Sequence, residues 1–146
     1  MNSQQQAEEL FTFSNIQNQK VEFYWEGTDY NFTINRLDEV SDDASGNKFF
    51  KLKYNIFSAL PRQPNAVLTF GGAWSNHIYA TASTCKKLGI RTIGIIRGEE
   101  PAHYSETLEH ARKCGMELHF ITREEYKEKN EDYVKAWLRD EFGSVQ

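Results

Sequence analysis

"VLTFGGAWSNHIYATASTCKKLGIRTIGII", residues 67–96, reads as one unit of a parallel sheet. Val67-Leu68-Thr69-Phe70 is a short apolar run of strand type, interrupted at once by Gly71-Gly72. Ser75 is an N-cap residue type, and Ile78, Ala82 and Cys85 recur behind it at helical spacing until Gly89 stops the helix. A second apolar run follows at 92–96. Strand, helix and strand within about thirty residues is the spacing of a right-handed crossover, which makes the two strands parallel.

Toward the C-terminus the pattern repeats. Ser105 can cap a helix carrying Leu108 and Ala111, Gly115 closes it, and 118–121 is a third strand. Thr122-x-x-Glu125 is a capping box, expected to open the longest helix of the chain with Tyr126, Tyr133 and Trp137 as its apolar stripe. Toward the N-terminus, Pro61 and Pro64 end a helix over 48–60 whose expected inner face is Phe50, Tyr54 and Phe57 at i, i+4, i+7. Before a polar loop at 41–46, Val21, Phe23 and Trp25 alternate, then Tyr30, Phe32 and Ile34, around a turn placed at Gly27-Thr28-Asp29: a β-hairpin. Residues 1–19 are polar and glutamine-rich, a loose lead-in or a frayed helix. The expected class is α/β: an N-terminal hairpin and helix, then a Rossmann-like three-layer βαβαβα unit on a parallel sheet.

At 146 residues the chain has the length of one domain, able to bury about 70% of its unfolded surface. Seventeen basic and 21 acidic residues give a net charge of −4 with the signs interspersed. No basic stripe points to nucleic acid and no basic amphipathic helix points to a membrane. The opening MNSQQQAEEL has neither the charge nor the apolar core of a signal peptide, and no run approaches the ~20 apolar residues of a membrane span. Cys85 and Cys114 lack CxxC spacing and are expected to be reduced thiols on helices of a cytoplasmic protein. No metal-ligand spacing is present.

Two stretches carry candidate chemistry. In "DDASGNKFFKLKYN", residues 42–55, Lys48 stands between Gly46-Asn47 and Phe49-Phe50, with Lys51 and Lys53 close behind. Its plain structural reading is a helix-start lysine whose stem lies on Phe49 while the ammonium stays in water. Its chemical reading is a nucleophilic amine, of the kind that desolvating aromatics and neighbouring cations activate. In "FGGAWSNHIYA", residues 70–80, Gly71 and Gly72 are expected to turn the backbone sharply and let a ligand approach. Ser75 then caps a helix with Asn76 and His77 in its first turn, where free N–H groups and the helix dipole favour an anion. Alone, each stretch is better read in its plain structural sense, as a capped helix after a glycine turn and as a helix-start lysine.

Together, "SGNKFFKLKYN" and "LTFGGAWSNHIYATASTCKKLGIRTIGIIRGEE" resemble the pyridoxal-phosphate enzymes related to 1-aminocyclopropane-1-carboxylate deaminase and D-cysteine desulfhydrase, over residues 36–143. That family has the tryptophan-synthase-β-like fold, fold type II. The resemblance implies that Lys48 holds pyridoxal 5'-phosphate as a Schiff base. It makes Asn47 the lysine's motif neighbour and Asn76 a hydrogen-bond partner of the cofactor's ring oxygen. Ser75, Asn76 and His77 match the segment that receives the substrate carboxylate, and Ser75 also the serine proposed to act on the substrate. The implied activity is a deaminating lyase that converts D-cysteine or a related small amino acid to a 2-oxo acid and ammonia, in a homodimer when the whole fold is present. Residues 1–60 would be the N-terminal segment of the large cofactor domain and 61–146 the small α/β domain.

The sequence departs from the family at three places. Phe49-Phe50 stand where relatives often carry a tryptophan–arginine pair, and Ile78-Tyr79 where the true deaminases have threonine and arginine, which argues against that substrate. "RDEFGSVQ" ends where the family runs on into a strand and a glycine-rich loop that grips the phosphate. The chain is therefore expected to be the N-terminal part of such an enzyme, inactive alone. The alternative is a non-catalytic α/β module that binds small carboxylates. A flavodoxin-like or nucleotide-binding domain fits less well, because GGAWSN is not GxGxxG.

Overall fold

The computed structural model describes residues 3–13, 15–44 and 46–143. The last residues of "RDEFGSVQ", on which the expected early ending turns, lie partly outside them. Among the described residues six α-helices and five strands follow in the order α1 (Ser3–Leu10), β1 (Asn18–Trp25), β2 (Thr28–Asn35), α2 (Asn47–Ala59), β3 (Val67–Gly72), α3 (Asn76–Leu88), β4 (Thr92–Arg97), α4 (Glu106–Lys113), β5 (Glu117–Ile121), α5 (Arg123–Lys127) and α6 (Asp132–Phe142), with short 3-10 turns at Leu37–Glu39 and Leu60–Arg62. None of the described helices is long and apolar enough to cross a membrane.

β3, β4 and β5 form a parallel sheet in that order, with Val67 opposite Thr92 and Ile93 opposite Glu117. β4 is the middle strand, and its residues from Thr92 to Ile96 are buried, as the near-continuous apolar run requires. One face packs Ile96 and Met116 against Ile78, Ala82, Leu108 and Ala111 of α3 and α4. The other packs Ile93 and Ile95 against Val134, Leu138 and Phe142 of α6. The expected three-layer α/β class is therefore what the chain forms. α1 and α2 add a third cluster outside α3, in which Ala7, Phe11, Phe49, Leu52 and Ile56 meet Ala80, Cys85 and Leu88.

The hairpin is antiparallel, pairs only with itself, and sets Val21 opposite Phe32 and Phe23 opposite Tyr30. Its turn is the two-residue loop Glu26-Gly27 rather than Gly27-Thr28-Asp29. Both residues have positive φ, 47° and 82°, the backbone that matches the twist of paired strands.

Two helical faces differ from the sequence reading. In α2 the buried residues are Phe49, Leu52, Ile56 and Ala59, while Tyr54 is 74% exposed. The segment after Thr122 breaks into α5 and α6 instead of one long helix, because 127–131, KEKNE, offers no apolar residue to hold it on the sheet. The capping box itself forms, closing α5. The α6 stripe is Val134, Leu138 and Phe142, with Tyr133 61% and Trp137 41% exposed.

Candidate functional site

β3 hands over to α3 through Ala73-Trp74-Ser75. Ser75 is extended, with φ −77° and ψ 114°, and its Oγ accepts from the N–H of His77 at 3.2 Å and of Ile78 at 3.4 Å. That satisfies two first-turn donors and leaves the hydroxyl proton for an outside acceptor. The preceding turn closes by Ser75 N–H donating to Gly72 O at 3.0 Å. Ser105 caps α4 by accepting from Leu108 N–H at 3.2 Å, and its hydroxyl donates to Ala73 O. The loop is thus tied to the start of the next helix.

Neither Gly71 nor Gly72 has the positive φ expected of a sharp turn; both end β3 as extended residues. What Gly71 supplies is closeness: a Cβ there would lie 2.4 Å from Ile78 Cγ1 and 2.9 Å from Ser75 Cβ. Its absence lets the first turn of α3 rest on the strand. At Gly72 a Cβ would come no closer than 3.8 Å to a neighbour, Arg97 Nη2.

Lys48 lies in the first turn of α2, entered from Gly46 at φ 63°. Its Nζ donates to Asn47 Oδ1 at 2.7 Å. The two phenylalanines behind it point elsewhere. Phe49 is buried, with ring centroids 5.4 Å from Phe11 and 5.5 Å from Phe13, and Phe50 lies 5.7 Å from Phe13. The aromatic run anchors the helix start in the core, and that anchoring fixes where Lys48 emerges.

His77 connects the two helix starts. It is half-buried, and its imidazole is held below its ordinary value, first by burial and then by the positive charges of Lys48 and Lys51. α2 and α3 pack in one cluster, and Leu52, Asn55 and His77 line one cleft, although 28 positions separate Lys48 from Asn76. Asn47 and Asn76 are exposed, and Lys48, Ser75 and His77 are partly exposed. Ile78 is fully buried and Tyr79 stacks on His110 at 3.7 Å, so these two positions have packing roles here.

Between α2, β3 and α3 runs a cleft of about 200 Å³, with Leu52, Asn55, Ile56, Thr69, His77 and Thr81 on its walls. Thr81 is 1% exposed and its Oγ1 has no hydrogen-bond partner among the described residues. Sequence reasoning missed Thr81, although its place four residues after His77 puts it on the same helical face. At the carboxyl ends of β4 and β5, Arg97 lies over the Tyr126 ring at 5.6 Å. Among the described residues no cluster of His, Cys, Asp and Glu could hold a metal ion.

No family model matches the chain. A bifunctional D-cysteine desulfhydrase/1-aminocyclopropane-1-carboxylate deaminase, mitochondrial, from Arabidopsis thaliana is 30% identical over 115 residues, 75% of this chain and 28% of that protein. A putative 1-aminocyclopropane-1-carboxylate deaminase from Thermotoga maritima is 32% identical over 116 residues, 78% of this chain and 36% of that protein. One of the same name from Pyrococcus abyssi is 40% identical over 67 residues, 20% of its length. The chain thus spans between a fifth and just over a third of these relatives. Two solved structures of hydrogen sulfide-producing enzymes from Fusobacterium nucleatum share its fold, with TM-scores of 0.63 and 0.64 at 12% and 15% identity. They match 96% and 98% of this chain and 43% and 42% of their own. The fold is the tryptophan-synthase-β-like fold of type II pyridoxal-phosphate enzymes.

Proposed function

We propose, for a chain related by sequence to the 1-aminocyclopropane-1-carboxylate deaminase and D-cysteine desulfhydrase family, that it supplies the lysine-bearing part of a pyridoxal-phosphate-dependent lyase acting on D-cysteine or a similar small amino acid. What supports this reading is the packing of α2, the helix that begins at Asn47 and Lys48, beside α3, the helix that begins behind Ser75, with Leu52, Asn55 and His77 on one cleft. Amine, amide, hydroxyl and the Asn76 backbone N–H are a donor set of the kind that a pyridine aldehyde and an amino-acid carboxylate need, so the residues fit the cofactor. Pyridoxal 5'-phosphate, when bound, supplies the electron sink for the bond broken at the substrate's Cα.

The chain's own residues take the other roles. Lys48 would hold the cofactor and, with its amine free, would move the proton at Cα as a positioned base. Asn47 keeps its amine oriented through the 2.7 Å bond. Ser75 spends its lone pairs on α3 and so would meet the substrate carboxylate as a donor, beside the Asn76 N–H, the first-turn donor that its oxygen does not take. Asn76 would hydrogen-bond the cofactor's ring oxygen, and His77 would line the carboxylate side. With Ile78 and Tyr79 occupied in packing, the reading favours a D-cysteine-like substrate over the cyclopropane amino acid. In this scheme residues 1–60 belong to the cofactor domain and 61–146 form the small domain.

Incubation with pyridoxal 5'-phosphate, borohydride reduction and peptide mapping test the anchor. The label is expected on Lys48, and on Lys48→Ala it is lost. Labelling spread over the surface lysines, unchanged by that substitution, would sink the reading.

A further inference from the structure

His110 joins two side chains that take no part in the candidate site, Ser83 and Cys114. It stands on α4, and Cys114, four positions on and so on the same helical face, closes that helix. Cys114 Sγ lies 3.4 Å from His110 Nε2, and Ser83 Oγ of α3 lies 2.7 Å from the same nitrogen. The Tyr79 ring, also on α3, stacks on the imidazole with centroids 3.7 Å apart and planes 12° from parallel. Ser83 is buried and Cys114 partly exposed. A nucleophile in contact with a base, and the base held in turn by a third group, is the arrangement that activates a thiol.

The surroundings set the form of the imidazole. Burial holds it below its ordinary value before any charge does; Lys86 of α3 and Lys113 of α4 act the same way, and Asp43, ion-paired to Lys87, acts against them. The ring is therefore neutral near pH 7, with one nitrogen free to accept a proton. Lys86 Nζ donates to Lys113 O at 3.4 Å, which places a cation at the backbone next to Cys114. The carbonyl end of a helix gives an anion no help, so the contact with His110 is what separates this thiol from an ordinary surface one. Cys85 has no such neighbour in reach. It follows Ser83 by two positions, faces the other side of α3 and is buried in the cluster with α1 and α2.

We propose that Cys114 is a modification site, a thiol served by His110 as its base that takes up half of a small disulfide. His110 Nε2 removes the thiol proton, and the Cys114 sulfur attacks one sulfur of the disulfide RS–SR. A new S–S bond forms as the old one breaks, and the departing RS⁻ takes the proton back from the imidazolium. One half of the disulfide stays on Cys114 and the other leaves as RSH, so the disulfide is the oxidant and no further reactant is needed. Ser83 and Tyr79 are positioning residues that hold the ring. The site is independent of Lys48 and of the family reading.

Oxidised glutathione is the probe, with peptide mapping by mass to score Cys114 and Cys85 separately. Near pH 7 the exchange rate of Cys114 in the folded chain is compared with that of the same residue in urea, each corrected by a model thiol in the same solvent. A free thiol, with a value of about 8.5, is only a few per cent thiolate there, so the folded chain is expected to react on the order of tenfold faster despite its partial burial. His110→Gln is expected to bring the folded rate down to the unfolded one or below. The gap between variant and wild type should close toward about pH 10, where thiols ionise without a base. Unmodified Cys85 reports that the variant is folded; where it becomes labelled, the wild-type comparison of folded and unfolded rates decides alone. A folded rate no higher than the unfolded one overturns the proposal, as does a folded His110→Gln chain that exchanges as fast as the wild type near pH 7.

Discussion

An alanine methyl at Gly71 would sit 2.4 Å from Ile78 Cγ1, and Ile78 is itself fully buried between sheet and helices. At Gly94 a methyl meets Met116 Sδ at 2.7 Å, but the next neighbours, Ile96 and Leu118, stand at 3.4 Å, and a methionine thioether can swing aside. Gly71→Ala is therefore expected to cost about 1–3 kcal/mol and Gly94→Ala less. Urea midpoints compare them, and equal losses would refute the close-packing account of Gly71. His77 gives a pH dependence with a definite sign. Burial and then Lys48 and Lys51 depress its folded-state value below the ordinary one near 6.5, so between the two the unfolded chain holds more protons. Stability from this source is complete above that pH and falls as the solution is acidified. His110 is also depressed, mainly by burial, so the measurement is the difference: the urea midpoint of His77→Asn should fall less on acidification than that of the wild type. The cysteines separate as well. Burial pushes the Cys85 thiol up to about 12, whereas Cys114 is partly exposed, so maleimide should modify Cys114 alone until denaturant is added.

Helix α2 shows how two stripes can both satisfy a period of 3.6. Phe50, Tyr54 and Phe57 lie on one and Phe49, Leu52, Ile56 and Ala59 on the next, rotated by about one residue. The aromatic stripe carries more surface and wins on sequence, yet α1 and α3 fix the helix by the narrower aliphatic one, with Phe49 seated among Phe11 and Phe13. Ile56→Ala should accordingly cost about 2–5 kcal/mol and Tyr54→Ala less than about 0.5 kcal/mol, read from denaturant midpoints. The same competition misplaced the last helix, where Tyr133 and Trp137 outweigh Val134 and Leu138 in size but remain wet. Punctuation was easier to read than faces. Ser75, Gly89, Ser105 and the Thr122–Glu125 box act within one turn of themselves, so each appears in the structure where the local pattern puts it.

For the whole molecule, the parallel sheet was legible because its three strands carry their own starts and stops. The spatial relation of Lys48 to the α3 start was not, since no spacing rule links residues across two elements; it came only from the family resemblance. That β3 is an outer strand of the described sheet and β4 the middle one could not be read at all, because a strand's sequence does not state which of its sides is paired. The hairpin is an open part. Phe23, Tyr30, Phe32 and Ile34 are each at least 40% exposed, and two strands alone are marginal in water. Hydrogen exchange should show β1 and β2 amides losing protection at lower denaturant than those of β4, and simultaneous loss would mean that the hairpin is held by contacts this arrangement does not contain.

Ser105 closes α4 with its oxygen and holds Ala73 with its proton, so one hydroxyl serves two elements. The loop that presents Ser75 is consequently set before any ligand arrives, and its ordering entropy is paid during folding rather than on binding. Ser105→Ala should leave the sheet intact but loosen that loop, slowing the capture of a carboxylate more than its release.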